Sequence, residues 1–392
     1  MIRVSDKIKC TGCASCFHVC PVSCITMTPD EEGFLYPVVD ENKCIECHKC
    51  ENVCPVINKI EIKNDYEICY AAYNKSEESR EKSSSGGMFI AIARKIFQKN
   101  GVVYGAAFDE DFQVKHSSAR NEDELDRLLG SKYVQSRMED IYYDVRNNLQ
   151  VGVPVLFMGT ACQIAGLKSF LGKDYDNLIC VDFICLGVPS PRIWGEYLDT
   201  FFERDAIRYI NFKDKSLGWH SFSLRIEQDD KTFLKNGRET YFFNGYFNGL
   251  YSRPSCSDCV FKKMNRVSDM TISDCWGYYK IAPEMDDNKG LSSVIIHNDK
   301  GMKVFKSIMP DLVYKKSDIR YVKKHNSNYC ISKEIGDNRK EFWEMCNKNS
   351  YIEACEKYCV AQEVIPDKTR IERIKEFLKE ILISCRKMLK NC

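Results

Sequence analysis

The middle of the chain switches between two periods of apolar and polar residues. ICYAAYN (68–74) reads as a strand. In the following KSSSGGMFIAIARKIFQKNG, Met88, Phe89, Ile92, Ile96 and Phe97 recur at helical spacing, and Asn100-Gly101 supplies the stop. VVYGAAFD reads as a second strand and DFQVKHSSA as a third. EDELDRLLG is a short helix, GSKYVQS a loop and MEDIYYDVRNNLQ a helix. VPVLFMG is a buried strand, TACQIAGLKSFLG a helix and NLICVDFIC a further buried strand. This alternation predicts an α/β body built on a mixed sheet with antiparallel additions. From about residue 311 the pattern changes and predicts a helical tail. Its clearest segment is IERIKEFLKEILISCRKMLKNC, where Ile371, Ile374, Leu378, Ile381, Cys385 and Met388 share a face. Docking of that face on the body or a coiled contact is preferred over contact with a membrane surface.

Composition narrows the classes. The 392 residues suffice for two or three domains, and the formal charge of +1 gives no general attraction to nucleic acid or anionic membrane. No stretch approaches the roughly 18 uncharged apolar residues of a membrane span. The start, MIRVSDKIKC, has no apolar run behind a basic end, so a cytoplasmic protein is expected. The 22 cysteines exceed what packing explains. In a reducing compartment they favour metal over disulfide.

Eight of them are ordered. Cys10-x2-Cys13-x2-Cys16-x3-Cys20-Pro21 recurs as Cys44-x2-Cys47-x2-Cys50-x3-Cys54-Pro55. This is the pattern of a two-cluster bacterial ferredoxin, in which the fourth cysteine of each run ligates the other cluster. One 4Fe-4S cluster is therefore assigned to Cys10, Cys13, Cys16 and Cys54, and the second to Cys44, Cys47, Cys50 and Cys20. Zinc modules pair two C-x2-C units and need no third and fourth cysteine at these offsets. His18 and His48 are read as solvent-facing loop residues and Cys24 as a small buried thiol. GFLYPVVDENKC reads as a hairpin between the runs, giving an α+β ferredoxin-like dicluster domain over 1–58, with 59–66 as linker.

Two stretches of the body suit a ligand. In SSSGG, hydroxyls and glycines stand at a helix start, where free amides meet the positive dipole end; an ordinary serine N-cap is the alternative. In VLFMGTACQ a buried strand ends at Gly159-Thr160, at the edge where open α/β sheets bind cofactors; a plain strand–helix turn is the alternative. No G-x-G-x-x-G supports a nicotinamide cofactor. Cys256 and Cys259 form one more C-x2-C and need two ligands from afar. Cys162 and Cys185, at strand ends, are candidates; Cys275 competes, and mid-strand Cys180 reads as packing. Cys330, Cys346, Cys355, Cys359, Cys385 and Cys392 lack ligand spacing, although Cys355 and Cys359 share a helix face.

The runs SSSGGMF, GVVYGAAFD, GSKYVQS, GTACQIAGL, ICLGVPSP, FKDKSLGW and RPSCSDCVFK…SDMTISDCWG together resemble the coenzyme F420 hydrogenase/dehydrogenase beta-subunit family. With the dicluster domain in front, the resemblance covers roughly residues 1–310. It implies a flavin-binding body in two parts, 67–150 and 151–310, before the 311–392 tail. It implies FAD at Ser84, Ser85, Gly86, Gly87, Ser131, Lys132, Tyr133, Gly159, Thr160 and Gln163, and a third 4Fe-4S cluster on Cys162, Cys185, Cys256 and Cys259. Many bacterial relatives lie among genes for surface polysaccharides. Three positions depart from the family: Ala161 replaces a frequent proline, Leu186 a frequent histidine and Cys275 an aromatic. Leu186 removes a candidate proton donor near the cluster.

The reading is an iron–sulfur flavoprotein oxidoreductase. A ferredoxin or similar redox protein would donate through residues 1–58, and the flavin would exchange hydride with F420 or another small organic molecule. Catalytic residues are not assigned. Trp219 could stack on a ring and His220 shuttle protons, against a core tryptophan and a surface histidine. The alternatives are a non-enzymatic subunit relaying electrons to a catalytic partner, or a binding module that retains only the fold. Cluster-bearing versions are expected to be oxygen-labile.

Overall fold

Two cysteine loops are built around one hairpin. β1 (Ile25–Pro29) pairs antiparallel with β2 (Leu35–Val39), Ile25 facing Val39 and Pro29 facing Leu35. Only the second strand lies in GFLYPVVDENKC. The first, ITMTP, buries little beyond Ile25 and so carries almost no apolar signal. The turn is closed by the Asp30 carboxylate, which accepts from the amides of Glu32 and Phe34 at 3.1 and 2.9 Å. Each loop leads into one helical turn, Ser15–Val19 or Lys49–Asn52, through a residue in the left-handed region: Ala14 at φ 63° and His48 at φ 56°. These stand at matching places, one after Cys13 and one after Cys47, so the sequence repeat is also a backbone repeat. The computed structural model describes residues 1–60, 66–262, 266–348 and 350–360.

The body strands are β3 (Ile68–Asn74), β4 (Val102–Phe108), β5 (Val114–Ala119), β6 (Val155–Gly159), β7 (Leu178–Phe183), β8 (Ile207–Asp214), β9 (Ser223–Gln228), β10 (Thr232–Asn236), β11 (Met270–Asp274), β12 (Ser292–Ile296) and β13 (Leu312–Ser317). Eight form one sheet in the order β13-β3-β12-β11-β7-β6-β4-β5. β4, β6, β7 and β11 are parallel neighbours, and the other pairings are antiparallel. Alternation along the parallel strands sends apolar groups to both faces. Val103, Leu156, Ile179 and Val181 meet the helices Met88–Phe97 and Asp299–Ile308. Val102, Tyr104, Val155, Phe157, Leu178 and Cys180 meet Ile141–Gln150 and Ala161–Leu171. Burial on both faces explains why these strands read as continuous apolar runs.

β8, β9 and β10 make a separate antiparallel sheet. An aromatic core containing Trp194, Phe212, Phe242, Tyr251 and Phe342 joins it to the helices Pro191–Phe201, Tyr241–Phe247, Arg339–Asn347 and Tyr351–Tyr358. The region after 311 is helical only in part. It opens with β13, which pairs with β3 at the sheet edge and leaves Lys315 and Lys316 exposed, as charged residues that blunt an edge strand. Cys346, Cys355 and Cys359 are buried in the aromatic core as packing thiols, and Cys330 is exposed. The face Ile371–Met388, with Cys385, and Cys392 lie outside the described residues. Among the described residues no helix is long and apolar enough to cross a membrane.

Candidate functional site

The eight N-terminal cysteines gather into two hollows. Cys10, Cys13, Cys16 and Cys54 line one. Cys20, Cys44, Cys47 and Cys50 line the other, together with Cys24. The fourth cysteine of each run thus stands with the opposite trio. The Ile2 amide donates to Cys50 Sγ at 3.3 Å and the Cys24 amide to Cys20 Sγ at 3.4 Å, the bonds by which a protein tunes cluster sulfur. All eight are free thiols. Burial, helped by the charges of Cys10 and Cys54 and only partly offset by hydrogen bonds from Ser15, leaves the Cys13 thiol harder to ionise than usual. Four thiols crowded round a hollow suit a bound group whose own positive charge lets them ionise together. Among the described residues no three His, Cys, Asp or Glu side chains converge closely enough for a single ion; a cubane is a larger object.

Cys162, Cys185, Cys256 and Cys259 come together from three places in the chain. Cys162 opens the helix after β6, Cys185 follows β7, and Cys256 and Cys259 lie beyond the helix Tyr241–Phe247. Burial pushes the Cys185 thiol up to about 12, helped by the charges of Cys256 and Cys259. Cys256 is pushed up to about 12 by burial, with Cys162 and Cys259 acting on it. Cys162 is raised by burial and then by Cys259. Thr160 caps the helix and its hydroxyl lies 3.0 Å from Cys162 Sγ. Lys262, a cation whose ammonium donates to Ile331 O at 2.9 Å, faces Cys185, Cys259 and Cys256. Cys275 is elsewhere, buried against Ala71, Trp219 and Tyr278, so it does not compete for this set; Cys180 is buried inside β7.

The loop GSKYVQS connects these sites. At its start, the Ser131 amide and hydroxyl both donate to Ser84 Oγ, at 2.7 and 2.9 Å. Lys132 donates to Leu129 O at 2.6 Å and Arg127 O at 3.1 Å, and burial lowers its ammonium to about 7. The Tyr133 ring lies between Phe212, Phe243 and Tyr246, within electrostatic reach of Lys213, Asp274 and Cys185. Gln135 donates to Thr11 O at 3.2 Å, inside the first cysteine loop. At its end, Ser136 Oγ accepts from Gln163 at 2.9 Å and meets His116 Nδ1 at 2.7 Å.

SSSGG does not cap its helix through serine. Gly87, at φ 83°, is the N-cap, and the serines turn aside: Ser85 Oγ donates to Leu291 O at 2.9 Å, and the Gly86 amide donates to Ser292 Oγ at 3.0 Å. A Cβ at Gly86 would stand 2.6 Å from Ala72 O, so only glycine lets the loop lie on the sheet. Gly159 and Thr160 lie at the end of β6. Gln163 is fully engaged in a capping box: Oε1 accepts from the Thr160 amide and hydroxyl at 2.9 and 3.0 Å, and Nε2 bonds Ser136.

Beside this loop, Lys213 is buried and ion-paired to Asp274, its ammonium 5.6 Å from the Trp276 ring centroid. Burial alone would depress that ammonium, but Asp274 outweighs it and raises it. Trp219 stacks on Trp276 at 5.1 Å and donates to Asp274 Oδ1 at 3.1 Å, so it is a core residue. His220 is half-buried, 2.9 Å from Asp286 and stacked on Tyr278. His48 is exposed, bonded to Glu51. His18 is not solvent-facing. It is buried between Phe17, Tyr142, Tyr143 and Phe170 because its loop docks on the body, and its Nδ1 meets Ala14 O at 2.8 Å. Sequence reasoning also missed Lys213, Asp274 and Lys262. Their runs were noted, but nothing local marks a lysine whose partner lies 61 residues away.

Two buried histidines predict a pH dependence. Burial pushes His116 down to about 4 and, with Arg266 nearby, His297 down to about 3. Both lie below the value of about 6.5 for an exposed histidine, so the unfolded chain takes up these protons first. Their stabilisation is complete above about pH 6.5, declines as the pH falls below it, and is fully lost below about 4 for His116 and about 3 for His297, up to about 3 and about 5 kcal/mol respectively. Urea unfolding at about pH 7.5 and pH 5 should show this loss, and His297→Asn should reduce it. An equal pH slope in that variant would contradict the assignment.

Family models match three segments of the chain. Coenzyme F420 hydrogenase/dehydrogenase, beta subunit N-term, matches residues 69–142, and its C-terminus counterpart matches 153–320. A 4Fe-4S dicluster domain matches 9–58. No curated protein matches the chain. Among solved structures it is similar to a chain of the F420-reducing NiFe hydrogenase complex from Methanosarcina barkeri, at 14% identity and a TM-score of 0.44, covering 74% of this chain and 89% of that one.

Proposed function

Because the chain belongs to the coenzyme F420 hydrogenase/dehydrogenase beta-subunit family and carries a 4Fe-4S dicluster domain, we propose that it is an iron–sulfur flavoprotein oxidoreductase with three 4Fe-4S clusters and one FAD. Residues 1–58 are the inlet for a ferredoxin or similar donor. Cys162, Cys185, Cys256 and Cys259 hold the third cluster, and the body from 67 to 310 binds the flavin. FAD, when bound, supplies hydride exchange with a small organic substrate and single-electron exchange with the clusters.

The observation that carries this reading is the loop Gly130–Ser136. It touches SSSGG through Ser131, the third cysteine set's surroundings through Tyr133, and the first cysteine loop through Gln135. One short segment therefore links the flavin site, the third cysteine set and the first cysteine loop. Ser84, Ser85, Gly86, Gly87 and Ser131 form one wall of the flavin site, and Lys132 and Tyr133 close its side. Gly159 and Thr160 form the far wall, with Gln163 fixing Thr160. A substrate ring would lie near Trp276 and Lys213. F420 is one candidate substrate; another small organic molecule is the other.

A second reading, an electron carrier serving a catalytic partner, has one observation in its favour: Gln163, expected at the flavin, has its amide committed elsewhere. Anaerobic reduction separates the two. With a reduced ferredoxin as donor, the oxidoreductase reading expects the flavin absorbance near 450 nm to bleach along with the cluster absorbance. It also expects Lys132→Met to lower bound flavin. Clusters that reduce in a chain with no flavin would leave the carrier reading.

A further inference from the structure

Arg253 is a buried cation with an unusual setting. It is 1% exposed, and it pairs with no carboxylate among the described residues. Its guanidinium is instead spent on the first cysteine loop. Nε donates to Cys10 O at 2.8 Å, Nη2 to Leu35 O at 3.0 Å and toward Cys10 Sγ at 3.6 Å, and Nη1 to Gln135 Oε1 at 2.9 Å. The group lies over the Tyr36 ring, 4.2 Å from its centroid. Gly12, at φ 69°, takes the left-handed backbone that favours glycine, and a Cβ there would stand 2.8 Å from Nη1 and from Gln135 Nε2. The nearby acids are already matched by lysines: Asp30 with Lys7 at 2.7 Å and Asp258 with Lys9 at 3.4 Å. The backbone of Arg253 belongs to the other side of the seam, where its carbonyl accepts from the Cys256 amide at 2.9 Å.

A buried charge without a partner is costly, so one of opposite sign is expected against it. Four thiolates round a 4Fe-4S cubane carry net negative charge, and reduction adds one electron to it. A fixed cation next to one ligand therefore stabilises the reduced form more than the oxidised form and raises the potential. Among the described residues no buried guanidinium reaches a sulfur of the second hollow: its sulfurs meet the amides of Ile2 and Cys24 and the Cys24 thiol, and the cations lining it are the Met1 ammonium, paired with Glu51, and the exposed Lys49. Resting on the reading that Cys10, Cys13, Cys16 and Cys54 hold a cluster, we propose that Arg253 sets the potential of that cluster above its N-terminal twin. It thereby directs electrons from the outer cluster towards Cys256 and the body. Arg253 is a positioning residue in this role.

The test is an EPR-monitored redox titration of the whole chain, purified anaerobically, with iron content measured on each sample. Cys47→Ser identifies the signal of the second cluster. In Arg253→Gln the first cluster's reduction equilibrium is expected to fall about tenfold, about 59 mV for one electron, while the second stays in place. Arg253→Lys keeps the charge and should return most of the shift. Gln135→Glu sets a carboxylate against the guanidinium and should lower the same potential, which decides the matter if Arg253→Gln loses iron. No shift with all iron retained, equal shifts in both clusters, or Arg253→Lys matching Arg253→Gln would overturn the proposal. Wild-type chain with fewer than two N-terminal cluster signals would instead overturn the dicluster reading beneath it.

Discussion

Cys162→Ala is expected to remove one cubane and leave two, so that iron falls from about twelve to about eight per chain. Cys162 stands at the start of a helix held by the Thr160–Gln163 capping box and by the buried Ile164, Ala165, Leu167 and Phe170, so losing its sulfur removes a ligand without unseating the helix. The signals of the two N-terminal clusters should persist, while the flavin no longer receives their electrons. Cys180→Ala and Cys275→Ala are the controls. Both thiols are fully buried in packing clusters away from the set, and both variants should keep all their iron. Iron unchanged in Cys162→Ala, or lost equally in the controls, would contradict the third site.

Gly166→Leu is expected to break the seam between the dicluster domain and the body. A Cβ at this position would lie 2.7 Å from Ser15 Oγ, 2.8 Å from Cys13 Cβ and 2.9 Å from the Tyr142 hydroxyl. The cysteine loop is therefore seated directly on the helix backbone, one turn after Cys162. A leucine must push the loop off or distort the helix, at a cost of about 3 kcal/mol. Limited proteolysis should then release the N-terminal domain, and the N-terminal clusters should reduce without passing electrons inward. Gly105→Ala, whose nearest neighbour would be 3.7 Å from the new Cβ, should behave like the parent chain. If Gly166→Leu resists protease and transfers electrons normally, the domain does not need this contact.

What the sequence revealed depended on how local each signal was. β3, β4, β6 and β7 are legible because both of their faces are buried and nearly every residue is apolar. β10 was not, since it lies at an edge and buries none of its residues fully. β11 and β12 were missed as well: MTISD and SSVII mix hydroxyls into the run because Thr271 and Ser292 bond across to Asp182 and the Gly86 amide. The paired cysteine runs could be assigned because their spacing is itself the chemistry. Arg253 and Lys213 could not, because what marks them is a partner hundreds or tens of residues away. His18 was misplaced for the same reason, since only docking on Tyr142 and Phe170 buries it.

The central claim is a continuous set of redox groups within one chain, and its most direct test is the iron, sulfide and flavin content after anaerobic purification. The account predicts about twelve irons, about twelve sulfides and one FAD per chain. About eight irons with no flavin would contradict it, leaving the dicluster domain as the chain's only redox chemistry.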